Sequence, residues 1–169
     1  MDQIESLENK NKRTAKGSFI FWSVIFLLAV ALDQSIKYLA FNTSFGNFLN
    51  GWRPIIAKQN FRNFQFAFSW PVPVWLMYII YAAVMIGVVT YIVRNYKNFS
   101  MAVSWGWLLI LAGASSNILE RIIVGYVKDF FYIWHGIFNL ADGYILIGLL
   151  ILLLSNKSTE NFNDKNEQK

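Results

Sequence analysis

Four stretches of this chain are long and apolar enough to cross a lipid bilayer, and this limits the fold more than any other feature. They run from about residue 17 to 41, 72 to 93, 101 to 123 and 137 to 154. Crossing a hydrocarbon core of about 30 Å takes ~20 largely apolar residues. A segment in lipid must also satisfy its backbone groups internally, which leaves helices and closed barrels. Continuous apolar runs of this length read as helices. The expected architecture is therefore an all-α membrane protein, with four transmembrane helices forming one domain over residues 17–154. Composition agrees: 56% of residues are hydrophobic and only 15% charged, against roughly a quarter charged in soluble domains.

The charges outside the spans give an orientation. Lys10, Lys12, Arg13 and Lys16 precede the first span, Arg94 and Lys97 separate the second from the third, and Lys157, Lys165 and Lys169 follow the fourth. The opposite loops are leaner, with Arg53, Lys58 and Arg62 in one and Lys128 in the other. The positive-inside rule then puts both termini in the cytoplasm, residues 1–16 forming a basic tail and 155–169 a polar one. Both tails, rich in Asn, Lys and Glu, suit solvated and partly disordered ends. The net charge of +5 accordingly reports topology; no basic stripe interleaved with aromatics points to nucleic acid. The first span has the basic start of a signal peptide, but Asp33 and Lys37 lie inside it without a convincing small-residue cleavage pattern, so it reads as a retained helix.

The first external loop, Asn42 to Pro71, contains "IIAKQNFRNFQFAFSW". Its short apolar and polar alternation suits strands lying at the interface, a small external β-cradle. Pro71 and Pro73 close the loop and start the second span. The second external connection, Val124 to Gly136, carries Phe130, Phe131, Tyr132 and Trp134, which fit an aromatic belt at headgroup depth.

The chemistry rests on the few polar residues within the spans or at their mouths: Asp33, Lys37, Asn117, Glu120, Arg121, Asp129, Asn139 and Asp142. An ionisable side chain at membrane depth costs several kcal/mol and is by default a functional-site hypothesis. With no cysteine and one histidine, His135, thiolate catalysis and cysteine-ligated metals are excluded, and a zinc site or a histidine triad fits poorly. Neither metal nor cofactor is expected. Asp33 and Lys37, four apart with the acid first, suit a structural salt bridge. Asn117 and Arg121 share a helix face as a donor-rich surface for a carboxylate or a peptide carbonyl; the alternative is helix–helix glue, for which Gly113, Ala114, Ser115 and Ser116 are suited. Asp129 follows the third span and Asp142 begins the fourth. Two such acids at similar depth would share a proton, and the pair could activate water with one member while the other protonates a scissile amide. Asn139, one turn before Asp142, can orient it. Acid pairs in membrane helices also serve as proton relays, and Asp33, Glu120, Asp129 and Asp142 are the candidates for that alternative.

Five blocks of the sequence, in order between Ala31 and Leu150, resemble the lipoprotein signal peptidases (signal peptidase II). They are "DQSIK" from Asp33, "RNFQFAFS" from Arg62, "AGASSNILER" from Ala112, "GYVKDFF" from Gly125 and "FNLAD" from Phe138. The resemblance implies a membrane-embedded aspartyl endopeptidase of the bacterial cytoplasmic membrane, with Asp129 and Asp142 as the dyad near the outer face. Its substrate would be a prolipoprotein whose lipobox cysteine carries diacylglycerol, cut just before that cysteine. Asn63, Asn117, Arg121 and Asn139 would bind substrate, while Asp33, Lys37 and Glu120 would support the structure. Globomycin-type cyclic peptides would inhibit it, membrane lipid would surround it, and it would act as a monomer. The sequence departs from the family pattern at Gln65, Ala112 and Ser116 in place of glycine, at Glu120 in place of aspartate, and at Lys128 where an apolar residue is common. A catalytically altered or inactive relative, or a small transporter, is the alternative reading.

Overall fold

A computed structural model describes residues 2–42, 61–64, 72–133 and 136–167. Its elements in chain order are α1 (Asp2–Asn42), β1 (Phe61–Asn63), α2 (Val74–Asn95), a 3-10 turn (Tyr96–Asn98), α3 (Met101–Val124), β2 (Val127–Asp129), β3 (Phe131–Ile133), β4 (Gly136–Phe138) and α4 (Leu140–Glu167). Three helical stretches are long and apolar enough to cross a membrane, Ser18–Asn42, Val74–Asn98 and Met101–Val124, and Leu140–Ser155 is a shorter apolar helix. The surface is turned inside out relative to a soluble protein. Large apolar side chains such as Phe19, Leu27, Ile86 and Ile122 face outward, while Asp33, Lys37, Ser116, Glu120 and Asp129 are buried. This is a multi-pass membrane protein with a polar interior.

Contacts along the helices give their directions. Trp22 meets Trp105 edge to face at 5.0 Å, and Gln34 bonds Ser116 further along both helices, so α1 and α3 run parallel. Tyr91 touches Trp107 at one end of α2 and Tyr78 touches Arg121 at the other, so α2 is antiparallel to α3. The α3–α4 seam, the most extensive in the bundle, is antiparallel and built on small residues. A Cβ at Gly113 would stand 2.3 Å from the Ala141 carbonyl oxygen, and one at Gly148 would stand 2.6 Å from that of Gly106. Helices in lipid associate by this kind of close backbone approach, because lipid tails are as apolar as the side chains.

Local chemistry sets the ends of α3. Ser100 caps its start by accepting the Val103 N–H at 3.2 Å, and Gly125 ends it in the left-handed region at φ 81 with its N–H on the Arg121 carbonyl, the usual glycine stop. The turn delivers the chain directly into β2.

Three expectations are corrected. The cradle is not confined to the first external loop: β1 pairs antiparallel with β2 from the second connection, which also forms the β3–β4 hairpin. "VKDFFYI" is rich in β-branched and aromatic residues, which favour strands, and the hairpin lets a short link between two helices satisfy its own backbone. The fourth helix starts at Leu140 and not near residue 137, because β4 occupies Gly136–Phe138. The tails are not irregular: the backbone is helical from Asp2 and onward to Glu167. Glu, Lys and Leu are good helix formers, and extending a helix already nucleated in the bundle needs no new nucleus. Gln65, the alternating residues 65–70, Trp134 and His135 lie outside the described residues.

The glycine contacts separate two substitutions of equal chemistry. Gly113→Ala is expected to lower the detergent melting temperature, by an overpacking cost of about 1–3 kcal/mol, since backbone of α4 lies within the new methyl's radius. Gly87→Ala, with nothing within 4 Å of the new carbon, is expected to be neutral or stabilising by up to about 1 kcal/mol.

Candidate active site

Two carboxylates meet where the strands join the helices. Asp129 ends β2, is 2% exposed, and lies opposite Phe61 in the β1–β2 register. Asp142 occupies the first turn of α4 and is half-buried. Asn139, the residue before that helix, touches both. Its Nδ2 donates to Asp129 Oδ1 at 2.6 Å, its backbone N–H donates to Asp142 Oδ2 at 3.1 Å, and its Oδ1 accepts the Asp142 N–H at 3.0 Å. The last two bonds make a reciprocal capping box, in which a cap residue and the third helical residue satisfy each other's orphan N–H groups. The spacing of Asn139 and Asp142 is therefore that of a helix start as well as of a site, and it fixes the Asp142 carboxylate before any substrate arrives.

Each remaining carboxylate oxygen also has a donor. Asn63, carried by β1, donates from Nδ2 to Asp129 Oδ2 at 3.0 Å, and Asn117 on α3 donates from Nδ2 to Asp142 Oδ1 at 2.9 Å. Every oxygen of the pair thus accepts one amide proton and keeps lone-pair capacity for another partner. Among the described residues, no three of His, Cys, Asp and Glu are grouped as metal ligands would be.

Beneath the pair lies a buried ionic cluster. The Lys37 ammonium, fully buried, contacts Asp33 Oδ2 at 2.8 Å and Glu120 Oε2 at 3.0 Å, and donates to Asn117 Oδ1 at 2.9 Å. Asn117 Oδ1 also accepts from Asn139 Nδ2 at 3.2 Å. With its oxygen held by Lys37 and Asn139, the Asn117 amide has one orientation, NH2 toward Asp142. Asp33 reaches further: Oδ2 accepts the Ser116 hydroxyl and Oδ1 accepts the Ala141 N–H at 2.9 Å, so α1 ties α3 to the start of α4. Glu120 receives the Lys128 backbone N–H on Oε2 at 3.1 Å. The Lys128 ammonium lies 3.1 Å from Oε1 but off the line of a hydrogen bond, acting there as a point charge. Lys128 is therefore seated on Glu120 through both its backbone and its side chain.

Of the residues singled out in the sequence, Asp129, Asp142, Asn63, Asn117 and Asn139 form one hydrogen-bonded group, and Asp33, Lys37 and Glu120 support it. The Arg121 guanidinium lies over the Tyr81 ring of α2 at 5.3 Å, and its carbonyl accepts the Tyr78 hydroxyl. Sequence reasoning missed Gln34, which donates to the Ser116 hydroxyl oxygen at 2.8 Å. Its signal was its own polarity inside a span. It also missed Tyr78 and Tyr81, whose spacing of three marks one face of α2.

The electrostatics follow from burial. Asp129 is pushed up to about 6, first by loss of hydration. The charge of Asp142 raises it further, while hydrogen bonds from Asn139 and Asn63 and the Lys37 charge oppose the rise. Among the described residues the cluster holds three cations, Lys37, Arg121 and Lys128, and four acids, Asp33, Glu120, Asp129 and Asp142. It is electrically neutral when the Asp129–Asp142 pair holds one proton, and uncompensated charge in a low-dielectric interior is costly.

The chain is similar to known proteins over most of its length. Residues 25–156 match the family model described as signal peptidase (SPase) II. A lipoprotein signal peptidase from Streptococcus pneumoniae (strain ATCC BAA-255 / R6) is 32% identical over 139 residues, covering 79% of this chain and 90% of that protein. One from Brucella ovis (strain ATCC 25840 / 63/290 / NCTC 10512) is 31% identical over 143 residues, covering 79% and 88%. The fold is similar to that of a bacterial membrane enzyme solved by the in meso method at 2.3 Å resolution, with a TM-score of 0.70, 23% identity, and coverage of 83% of this chain and 90% of that one. With the family model matched across most of its length, the chain belongs to the signal peptidase II family.

Proposed function

We propose that this protein is a membrane-embedded aspartyl endopeptidase that removes the signal peptide from diacylglyceryl-modified prolipoproteins in a bacterial cytoplasmic membrane. The observation that carries the reading is the amide-held pair of Asp129 and Asp142 above the buried Lys37–Glu120 ion pair. In this reading the shorter apolar helix is the fourth span, and both termini and the 3-10 turn face the cytoplasm, where the positive-inside rule puts the basic segments. The acid pair then lies near the outer face, with the β-strands as its roof. The protein acts as a monomer, and its substrate enters from the bilayer with acyl chains left in lipid.

The chemistry divides between the acids. Asp142, ionised, takes a proton from a water, and the water oxygen bonds to the carbonyl carbon preceding the lipidated cysteine. Asp129 donates its proton to the carbonyl oxygen. The C–N bond then breaks as the cysteine nitrogen takes up the proton held by Asp142 and one hydroxyl of the diol returns its proton to Asp129, releasing a signal peptide with a new carboxyl group, which ionises in water, and a lipoprotein with a free α-amino group. Asn63, Asn117 and Asn139 hold the two acids and offer amides to the substrate backbone, and Arg121, steadied on Tyr81, supplies a donor for a substrate carbonyl.

Reconstituted protein is expected to cleave a diacylglyceryl-modified lipobox substrate and to be blocked by globomycin. Asp129→Asn and Asp142→Asn should each lose at least about 10³-fold in kcat while staying folded, as removal of a general acid or base commonly does. Cleavage by either variant at the wild-type rate would sink the assignment.

The pH dependence follows from Asp129. When its proton leaves, the pair is doubly charged and lacks an acid, so kcat/KM is expected to fall as pH rises through about 6. The Asn63 amide favours the charged form, so Asn63→Ala should move this limb to higher pH. Stability has the same sign. The folded carboxyl sits above its ordinary value of 3.8, so its contribution is intact below pH ~4 and lost as pH rises through about 6. Asp129→Asn is therefore expected to raise the melting temperature at pH 8 relative to wild type more than at pH 4.

A further inference from the structure

Lys128 and Glu120 meet in a way the catalytic scheme does not use. Glu120 is 3% exposed and serves three elements with one carboxylate: its own helix α3, α1 through the Lys37 ammonium, and β2 through both the backbone N–H and the ammonium of Lys128. β2 is three residues long and, among the described residues, has β1 on one edge only. A strand so short is weakly specified by its ladder, yet its last residue, Asp129, must present both oxygens to amides from two other elements. The bond from Glu120 holds the strand at the residue next to Asp129, at a polar group whose position varies little with side-chain motion.

The charges add a second constraint. Without the Lys128 ammonium, Asp33 and Glu120 would share the single Lys37 cation, leaving a net negative charge under the acid pair. Lys37 would then be drawn more toward Glu120, and Lys37 also fixes the Asn117 amide that holds Asp142. Glu120 and Lys128 are thus direct partners in space.

We propose that Lys128 and Glu120 form a matched pair that sets the position of Asp129 relative to Asp142, with Lys128 acting as a positioning residue for the reaction through Glu120. Neither residue touches the scissile bond. The inference rests on Asp129 being a reacting carboxylate, as proposed above.

The test uses full-length protein in lipid nanodiscs with a diacylglyceryl-modified prolipoprotein, comparing wild type, Lys128→Met, Lys128→Arg, Glu120→Gln, the Lys128→Met/Glu120→Gln double variant and Asp129→Asn. Lys128→Met keeps the backbone N–H and most of the stem. A misplacement well under 1 Å should then lower kcat about tenfold, with KM within twofold of wild type. Lys128→Arg should restore most of the loss, and the double variant should be no slower than the slower single variant. A merely structural role would lower the melting temperature of Lys128→Met without this kcat-against-KM split or the arginine rescue. Wild-type kcat in Lys128→Met, equal losses in the Met and Arg variants, or additive losses in the double variant would overturn the proposal. Loss of cleavage in Asp129→Asn with wild type active shows separately that the catalytic reading stands, so the two failures are distinguishable.

Discussion

The ammonium of Lys37 is the point on which the rest of the interior depends. It is fully buried, and its three protons face Asp33, Glu120 and the Asn117 amide oxygen. A buried charge left without partners is among the most destabilising defects a protein can carry. The two helices that supply those partners must therefore arrive together. Asp33 and Lys37 are both on α1, Asn117 and Glu120 on α3, and Asp33 extends the tie to the first turn of α4 through the Ala141 N–H. In a bilayer, where apolar surface gives helices little reason to choose one another, this cluster and the glycine seam between α3 and α4 decide the assembly.

The same cluster makes the acid pair possible. Asp129 and Asp142 arrive from opposite ends of a hairpin, and Asn139 at its base bonds both. Two carboxylates at such proximity would repel if both were charged. Three nearby cations against four acids leave room for one proton. In the proposed function, fold and chemistry are linked by charge balance: the residues that hold the helices together also supply the charges around the acid pair.

Much of this was legible in the sequence. The three longer spans stand out because hydrocarbon length and the absence of charge are local properties. The pairing of Asp33 with Lys37 follows from helical spacing. Asn117, Asn139, Asp129 and Asp142, which the structure brings into one hydrogen-bonded group, could be singled out because polar groups at membrane depth are few, whereas Asn63 was singled out only through the family resemblance. What was not legible depended on contacts between distant segments. Nothing local to Phe61–Asn63 says that its partner is Val127–Asp129, so the cradle was expected within one loop and is shared by two. The "NLAD" capping box carries its own signal, yet the apolar run around it hid the helix start at Leu140. No local spacing pairs Lys128 with Glu120, and its seat there depends on the turn at Gly125.

The most direct test of the central claim is to count the protonated carboxyl groups by infrared difference spectroscopy of the reconstituted protein between pH 5 and 8. One buried carboxylic-acid band is expected, lost as pH rises through about 6 and absent in Asp129→Asn. A spectrum with no such band at pH 5, or a band that persists unchanged in Asp129→Asn, would contradict a proton shared by this pair.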